Sequence, residues 1–175
     1  YYDSKNDLRQ YMTNFYAQDN IVPEKMTFKT SINYNYQNID GRTFVPTYYV
    51  ESNQQSNATS LTKTNTQYNN YIWDNTLTYK DSFGKHNFGA MLGTSMRQET
   101  YKNLWGSAPN VPEGNDSYLY LGQGSTTGIT LGDDGTKFRG LSYFARLNYD
   151  FDSKYYLMFT MRADGSSKYQ DKWGY

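Results

Sequence analysis

The most regular feature of the chain is a strict alternation of apolar and polar side chains near its end. In "GLSYFARLNYDFDSKYYLMFTMRADGSS", residues 140–167, the odd positions from Leu141 to Phe151 are apolar or aromatic and the even positions are mostly polar. After the break at "DFDSK" the alternation resumes from Tyr155 to Ala163. A period of two indicates extended strands with unlike faces. Each run lasts about ten residues, the length of a tilted strand that spans a bilayer.

The same alternation recurs in earlier segments. It is clear in "MTFKTSINYNYQ", "YIWDNTLTYK" and "HNFGAMLGTSM", and weaker in "QYMTNFYAQ". Asn75 is a polar exception on an otherwise apolar face, and no amphipathic helix stands out. We therefore predict six strands, each paired with its neighbour in the sequence, near residues 8–18, 26–37, 67–80, 86–97, 140–152 and 155–165.

The connections between these strands alternate in length. The short ones are "DNIVPEK", "DSFGK" and "DSK", whereas the long ones cover residues 38–66 and 98–139 and are rich in Gly, Ser, Thr, Asn and Gln. Long structureless connections are uncommon in compact soluble domains. Short and long connections that alternate along the chain are typical of an antiparallel meander in an outer-membrane barrel. The predicted fold class is all-β: an antiparallel up-and-down transmembrane β-barrel, present in part, since six strands are fewer than the eight of the smallest barrels.

This fold predicts an orientation for each face. Charged side chains belong in the barrel interior, because arginine or lysine on the lipid face costs about 2–4 kcal/mol at the midplane. We expect Lys29, Asp74, Arg146, Asp150 and Arg162 to point to the interior. The side chains expected to face lipid are Phe28, Ile32, Tyr34, Trp73, Leu77, Leu92, Leu147 and Leu157.

Composition narrows the class of protein. Hydrophobic residues make up only 37% of the 175 residues, yet aromatic residues reach 18%, with 20 tyrosines. Tyrosine has an apolar ring and a polar hydroxyl, so it is suited to an interface between an apolar medium and water. The net charge of zero argues against a nucleic-acid partner. Without cysteine, disulfides and thiolate metal sites are excluded.

Two long segments resemble a known family. "WDNTLTYKDSFGKHNFGAMLGTS" (Trp73 to Ser95) and the segment from Gly140 to Tyr175, with its "RADGSS" step, are similar to the barrel region of SusC/RagA-type TonB-dependent outer-membrane transporters of Bacteroidetes. A weaker similarity runs through residues 10–50. The resemblance implies that residues 1–175 are part of such a barrel, with the plug domain and the TonB box not present in this stretch.

The same resemblance implies a function for the intact protein. It would sit in the cell outer membrane and import glycan or peptide fragments together with a SusD-like surface lipoprotein, with TonB acting through regions missing here. Its remaining partner is outer-membrane lipid. No cofactor is expected, and no enzyme activity, because no nucleophile and base occur at a useful spacing.

Several polar residues are candidates for chemistry. His86, the only histidine, is more simply a turn or strand-start residue. Asp133 and Asp134 offer oxygen ligands for calcium but are better explained as an Asp-Asp-Gly turn. The charged side chains of the last two strands predict a polar interior wall of the barrel. Their role could be to support a plug domain or to contact substrate, and the sequence leaves both alternatives open. These residues are Arg146, Asp150, Arg162 and Asp164.

The long second connection contains four aromatic residues that are candidates for substrate binding. Aromatic rings suit stacking on sugars, although isolated loop aromatics also serve local packing. The candidate substrate-binding residues are Tyr101, Trp105, Tyr118 and Tyr120.

Two other functions remain open from the residues alone. One is a passive porin or an adhesin-type outer-membrane barrel, which would have the same alternating strands. The other is a soluble, carbohydrate-binding β-sandwich, whose apolar faces would pack against each other.

Overall fold

The protein forms one large antiparallel sheet and one small hairpin. The computed structural model describes residues 2–114, residues 119–168 and the backbone of residues 173–174. The large sheet has seven strands in the order β1-β2-β5-β6-β7-β8-β9, and β3 pairs with β4 alone. The strands are β1 Asp3–Val22, β2 Met26–Val45, β3 Tyr48–Glu51, β4 Gln54–Ser56, β5 Ser60–Phe83, β6 His86–Pro109, β7 Thr130–Phe151, β8 Tyr155–Ser166 and β9 Trp173–Gly174.

This architecture confirms the predicted fold class and strand order. All six predicted strands are present, and those that are consecutive in the prediction are neighbours in the sheet. The soluble β-sandwich does not fit, because the described strands make one large sheet instead of two packed sheets. Within the described residues, no helix is long and apolar enough to cross a membrane.

The predicted strand ends were wrong for the long connections. Residues 38–66 and 98–139 were expected to lack structure, but β2 continues to Val45, β5 begins at Ser60, β6 continues to Pro109 and β7 begins at Thr130. The missed strand ends carry polar side chains on both faces, as in "SLTKTNTQ" of β5. A strand that is polar on both faces has no period of two and escapes the pattern.

The residues divide into two compact units. One contains Tyr1–Tyr11, Tyr36–Tyr68 and Thr100–Thr136, and we call it the long-loop unit because it holds the long connections. The other contains Met12–Asn35, Asn69–Glu99 and Lys137–Tyr175, and we call it the short-turn unit.

The short-turn unit owes its tight connections to residues in the left-handed region of backbone space. Asp152 and Ser153 have φ of 55° and 53°. The Lys154 amide donates to the Phe151 carbonyl at 3.0 Å. Two consecutive positive φ values match the type I′ turn, whose twist suits a tight connection between antiparallel strands. Glu24 and Gly84 also have positive φ, in the other two short turns.

The strands of the short-turn unit have one apolar and one polar face, as predicted. In the β7–β8 pair, Leu147 lies opposite Phe159, while Arg146 lies opposite Thr160 on the other face. Leu92 and Leu147 are 61% and 55% exposed. Among the described residues, every buried hydrophobic side chain belongs to the long-loop unit, and none of them covers the apolar face of the short-turn unit.

Polar side chains on this apolar face are paired with each other. The Asn75 amide donates to Thr94 Oγ1 at 3.5 Å. The Trp73 indole donates to Thr30 Oγ1 at 2.9 Å. A polar group taken out of water is destabilising unless it is hydrogen-bonded. These pairs explain how Asn75 is accommodated on an apolar surface.

The long-loop unit has a small hydrophobic core that organises the second long connection. The core consists of Phe44, Leu61, Ala108, Val111 and Leu119. Two of these, Val111 and Leu119, come from the connection between β6 and β7, which the sequence predicted to be structureless. The Thr59 hydroxyl donates to the Val111 carbonyl at 2.5 Å and fixes the start of this connection.

A second contact holds the same connection near its beginning. Glu113 Oε1 accepts hydrogen bonds from the Thr47 hydroxyl at 2.7 Å and from the Thr47 amide at 2.9 Å. These donors favour the charged carboxylate and lower the pKa of Glu113. Side chains from both long connections therefore meet in this unit.

Candidate functional site

One face of β5 and β6 in the long-loop unit carries a ladder of hydroxyl and amide side chains. Thr62 Oγ1 donates to Ser107 Oγ at 2.9 Å, and Thr66 Oγ1 donates to Asn103 Oδ1 at 2.9 Å. Alternate residues of a strand share a face, so these contacts place the even positions of this part of β5 beside the odd positions of β6.

Aromatic rings lie on the same face as this ladder. The ring centroids of Tyr68 and Tyr101 are 5.3 Å apart. Trp105 alternates with Asn103 and Ser107 and therefore shares their face. We call the surface formed by these residues the hydroxyl–aromatic face: Thr62, Thr66, Tyr68, Tyr101, Asn103, Trp105 and Ser107.

A glycine in β7 makes room for the indole of Trp105. A Cβ built on Gly132 would come 2.8 Å from Trp105 Nε1, closer than side chains tolerate. The indole can therefore lie against the backbone of β7, and 37% of Trp105 remains exposed. A fixed, partly exposed indole and a tyrosine pair beside hydroxyls and amides suit a ligand that has both apolar and hydrogen-bonding surfaces.

The opposite face of these strands has different chemistry. Lys63 Nζ lies 4.8 Å from the centre of the Tyr120 ring, a cation–π contact. Asn65 Nδ2 donates to Asn38 Oδ1 at 2.9 Å and to Asp40 Oδ1 at 2.5 Å. A cavity of about 690 Å³ is present in the long-loop unit, and its lining includes Asp40, Lys63 and Asn65 as well as Trp105.

The structure thus separates the three predicted substrate-binding residues that it describes. Tyr101 and Trp105 share the hydroxyl–aromatic face, whereas Tyr120 contacts Lys63, which is on the opposite face of β5. Tyr118 lies outside the described residues. Sequence reasoning grouped them as one loop because it ended β6 too early. It also missed Tyr68 and the ladder, which alternating hydroxyl residues in "LTKTNTQY" could have indicated.

His86 belongs to an aromatic cluster at a short turn. It is the first residue of β6, and its Nδ1 lies 2.8 Å from the Tyr149 hydroxyl. Its ring stacks on Phe83 at 5.2 Å and meets Phe151 at 4.9 Å, and Phe88 packs on Tyr149 at 4.9 Å. Packing against these rings and one hydrogen bond give His86 a structural role at this turn.

Asp133 and Asp134 were predicted to form a turn, and that prediction was wrong. Both lie within β7, and Asp134 Oδ1 accepts a hydrogen bond from the Gly135 amide at 2.7 Å. Their exposed carboxylates tolerate a strand position because water solvates them there. In the part of the chain that the structure describes, no three His, Asp or Glu side chains are grouped so that they could hold a metal ion.

The charged residues of β7 and β8 fall into separate groups on the polar face. Asp164 accepts from Arg162 Nε at 2.8 and 2.9 Å and from the Ser142 hydroxyl at 2.5 Å. Asp150 Oδ2 instead accepts from Asn87 Nδ2 at 2.9 Å. Arg146 is exposed. The arrangement is a polar wall with local pairs.

The chain is similar to curated proteins over nearly its whole length. It is 30% identical to "TonB-dependent receptor P3" of Formosa agariphila over 159 residues, which is 91% of this chain and 16% of that protein. It is 28% identical to "TonB-dependent receptor P39" of the same organism over 97% of this chain and 16% of the relative. The chain therefore spans about a sixth of the length of these relatives. No family model matches it.

Solved structures share the fold. The "RagAB peptide transporter" superposes with a TM-score of 0.88 at 21% identity, covering 99% of this chain and 19% of that one. The "open-open" state of the "RagAB peptide importer" gives 0.86 at 22% identity, with the same coverage. These relatives are named as receptors and transporters, none as an enzyme. Sequence similarity identifies the chain as a segment of a TonB-dependent receptor, and its strands share the fold of the RagAB structures.

Proposed function

We propose that this chain is part of the wall of an outer-membrane barrel that imports glycan or peptide fragments with energy supplied through TonB. The exposed apolar face of the short-turn unit carries this proposal, together with the similarity to TonB-dependent receptors. A face of large apolar side chains with its few polar groups paired suits hydrocarbon, which offers no hydrogen bonds. Residues 1–175 would then be barrel, with the plug domain and the TonB box elsewhere in the protein.

The same proposal assigns directions to the connections. The short turns would lie on the periplasmic side and the long connections outside the cell, since outer-membrane barrels have short periplasmic turns and longer extracellular loops. The long connections would meet substrate and a SusD-like lipoprotein. Loops held by a rigid scaffold are where binding function concentrates.

The hydroxyl–aromatic face is the surface that we propose to contact substrate. Its Tyr68–Tyr101 pair and the indole of Trp105 offer flat apolar surfaces, and the ladder beside them offers hydrogen bonds. Sugar rings and peptides both present apolar faces beside hydroxyl or amide groups, so this chemistry supports either substrate. In this proposal Tyr120 forms part of the outer rim, because its ring is already in contact with Lys63.

Replacing Trp105 tests the proposed substrate contact. In the full-length protein, Trp105→Ala should lower uptake of the native substrate about two- to tenfold, because aromatic contacts contribute about 0.5–1.5 kcal/mol beyond area burial and tenfold corresponds to about 1.4 kcal/mol. The measurement is uptake of labelled substrate by whole cells at equal receptor abundance. Tyr120→Ala is the matched control and should change uptake less. Equal uptake by Trp105→Ala and wild type would contradict the assignment.

Shortening the second long connection tests its role as a whole. Replacing residues 112–128 by a short Gly-Ser linker spares β6 and β7, and the barrel should still assemble. Uptake or capture of the lipoprotein should fall, since this connection folds onto the strands of the long-loop unit. The checks are outer-membrane abundance, uptake and co-purification. Unchanged uptake and unchanged capture of the lipoprotein would show that this connection has no role in transport. Uptake in cells that lack TonB would favour a passive porin.

A further inference from the structure

The exposed apolar face of the short-turn unit is not flat. A groove of about 430 Å³ crosses β5 to β8, with Leu77, Leu92 and Met161 among the bulky side chains that line it. The strand pairing creates the depression, because Tyr143 lies opposite Ala163 and Ala145 lies opposite Met161, so that large and small side chains alternate. The small residues of this lining include Gly93, Thr94, Ala145 and Ala163.

A cation lies at one end of this groove. A second cavity of about 780 Å³ is lined by the next residues along the same strands, among them Trp73, Met96, Leu141 and Arg139. Arg139 is exposed, and its Nε donates to Gln98 Oε1 at 3.2 Å. This hydrogen bond orients the guanidinium at the end of an apolar groove. A guanidinium is suited to phosphate because its N–H donors form a planar fork.

The position of Arg139 along β7 matches a membrane boundary. Phe151, at the short-turn end of β7, belongs to the aromatic cluster around His86, and such aromatic residues form a girdle at the interface of outer-membrane barrels. Twelve residue steps from Phe151 to Arg139 span about 40 Å along the strand. With a tilt of about 45°, this corresponds to about 29 Å along the membrane normal, close to the hydrocarbon thickness of about 30 Å.

We propose that this groove is a binding site for one phosphorylated acyl lipid of the outer leaflet, lipid A. An acyl chain would occupy the groove between Leu92 and Met161, and a phosphate of the headgroup would bind Arg139. The inference rests on the proposed function. Arg139 lies at the level of the outer leaflet only if the short turns are on the periplasmic side of the membrane. A second copy of the chain suits the groove less, since an isologous contact would set a concave surface against itself.

Replacing the cation tests the headgroup contact. The full-length protein, purified in detergent and stripped of lipid, is titrated with lipid A, and the bound lipid is counted by native mass spectrometry. Arg139→Gln should weaken binding about tenfold or more. The matched control is Arg146→Gln, which removes an exposed arginine from the other face of the same strand. Equal binding by Arg139→Gln and wild type, or an equal loss in both variants, would overturn the proposal.

Filling the groove tests the acyl contact independently. Ala163→Phe places a ring where the groove is lined by a small residue, and it should reduce lipid A binding while leaving the unfolding temperature of the barrel within a few degrees of wild type. Unchanged binding in this variant would overturn the assignment of the groove.

The outcomes separate this inference from the proposed function. Equal affinity for phosphatidylglycerol and lipid A would overturn the choice of lipid, and dimers that disappear in Ala163→Phe without a change in bound lipid would assign the groove to a second copy. Both results leave the outer-membrane transporter intact. A protein that never reaches the outer membrane would instead contradict the proposed function.

Discussion

Replacing Leu147 with arginine is expected to destabilise the membrane-inserted barrel by about 2–4 kcal/mol, the range for arginine at the midplane of an outer-membrane barrel. Leu147 is 55% exposed on the apolar face, opposite Phe159 of the neighbouring strand. It lies between Phe151 and Arg139, which we place at the two boundaries of the hydrocarbon. In this position a guanidinium finds neither water nor a carboxylate. The effect is measured as the free energy of unfolding of the full-length protein in bilayers.

The neighbouring residue provides the matched control. Asn148 lies on the polar face, opposite Met158, and its side chain is exposed. Asn148→Arg adds the same charge one residue away, and its cost should be less than about 1 kcal/mol, because the interior of such barrels is polar. Equal destabilisation by the two variants would contradict the assignment of the apolar face to lipid. A spin-label scan over residues 141–151 gives an independent answer, since only odd positions should be reached by a lipid-soluble quencher.

Gly93→Ala is expected to destabilise the barrel by about 1–3 kcal/mol, the usual cost of inserting atoms into a filled space. The ring of Phe144 occupies the place where a side chain at position 93 would be: Phe144 Cε2 is 2.1 Å and Cζ 2.2 Å from an ideal Cβ there. Gly93 is buried beneath that ring. Alanine would push the phenyl group off the backbone of β6, and its packing would be lost. Unfolding of the full-length protein in detergent by heat or denaturant measures the change.

Gly89 is the matched control on the same face of β6. A Cβ at Gly89 meets only Asn148, at 3.6 Å, which is ordinary contact. Gly89→Ala should therefore be neutral or slightly stabilising, because alanine restricts the unfolded chain more than glycine does. In Phe144→Ala the ring is absent, and Gly93→Ala should then have little effect. If Gly93→Ala destabilised the Phe144→Ala protein as much as it destabilises wild type, the ring of Phe144 would not be the cause of the destabilisation.

The strands of the short-turn unit were predictable because one of their faces carries apolar side chains and the other carries polar side chains. The alternation from Leu141 to Phe151 predicted the β7–β8 hairpin, and the observed register pairs Leu147 with Phe159 and Arg146 with Thr160. Asn75 looked like a defect in the pattern because the sequence does not show its neighbour across the sheet. The hydrogen bond to Thr94 appears only when β5 and β6 are paired.

The candidate site was predicted in part. Trp105 and Tyr101 were identified by residue type, but as members of a loop, and Tyr120 was grouped with them. Their true relation depends on β6 continuing to Pro109, where polar residues on both faces leave no alternation. The contribution of Gly132, which leaves space for the indole of Trp105, comes from a residue 27 positions away in the chain.

By itself the sequence determined the six long strands, their order and, in the short-turn unit, which residues share a face, because two faces of unlike polarity impose a local period of two. Only the tertiary structure decided which residues from distant parts of the chain are in contact. It set Phe144 over Gly93, Thr94 beside Asn75, and Val111 and Leu119 in the core of the long-loop unit. These contacts join residues far apart in sequence, and their partners are chosen by strand register and by the space that a small side chain leaves free, neither of which a local pattern contains.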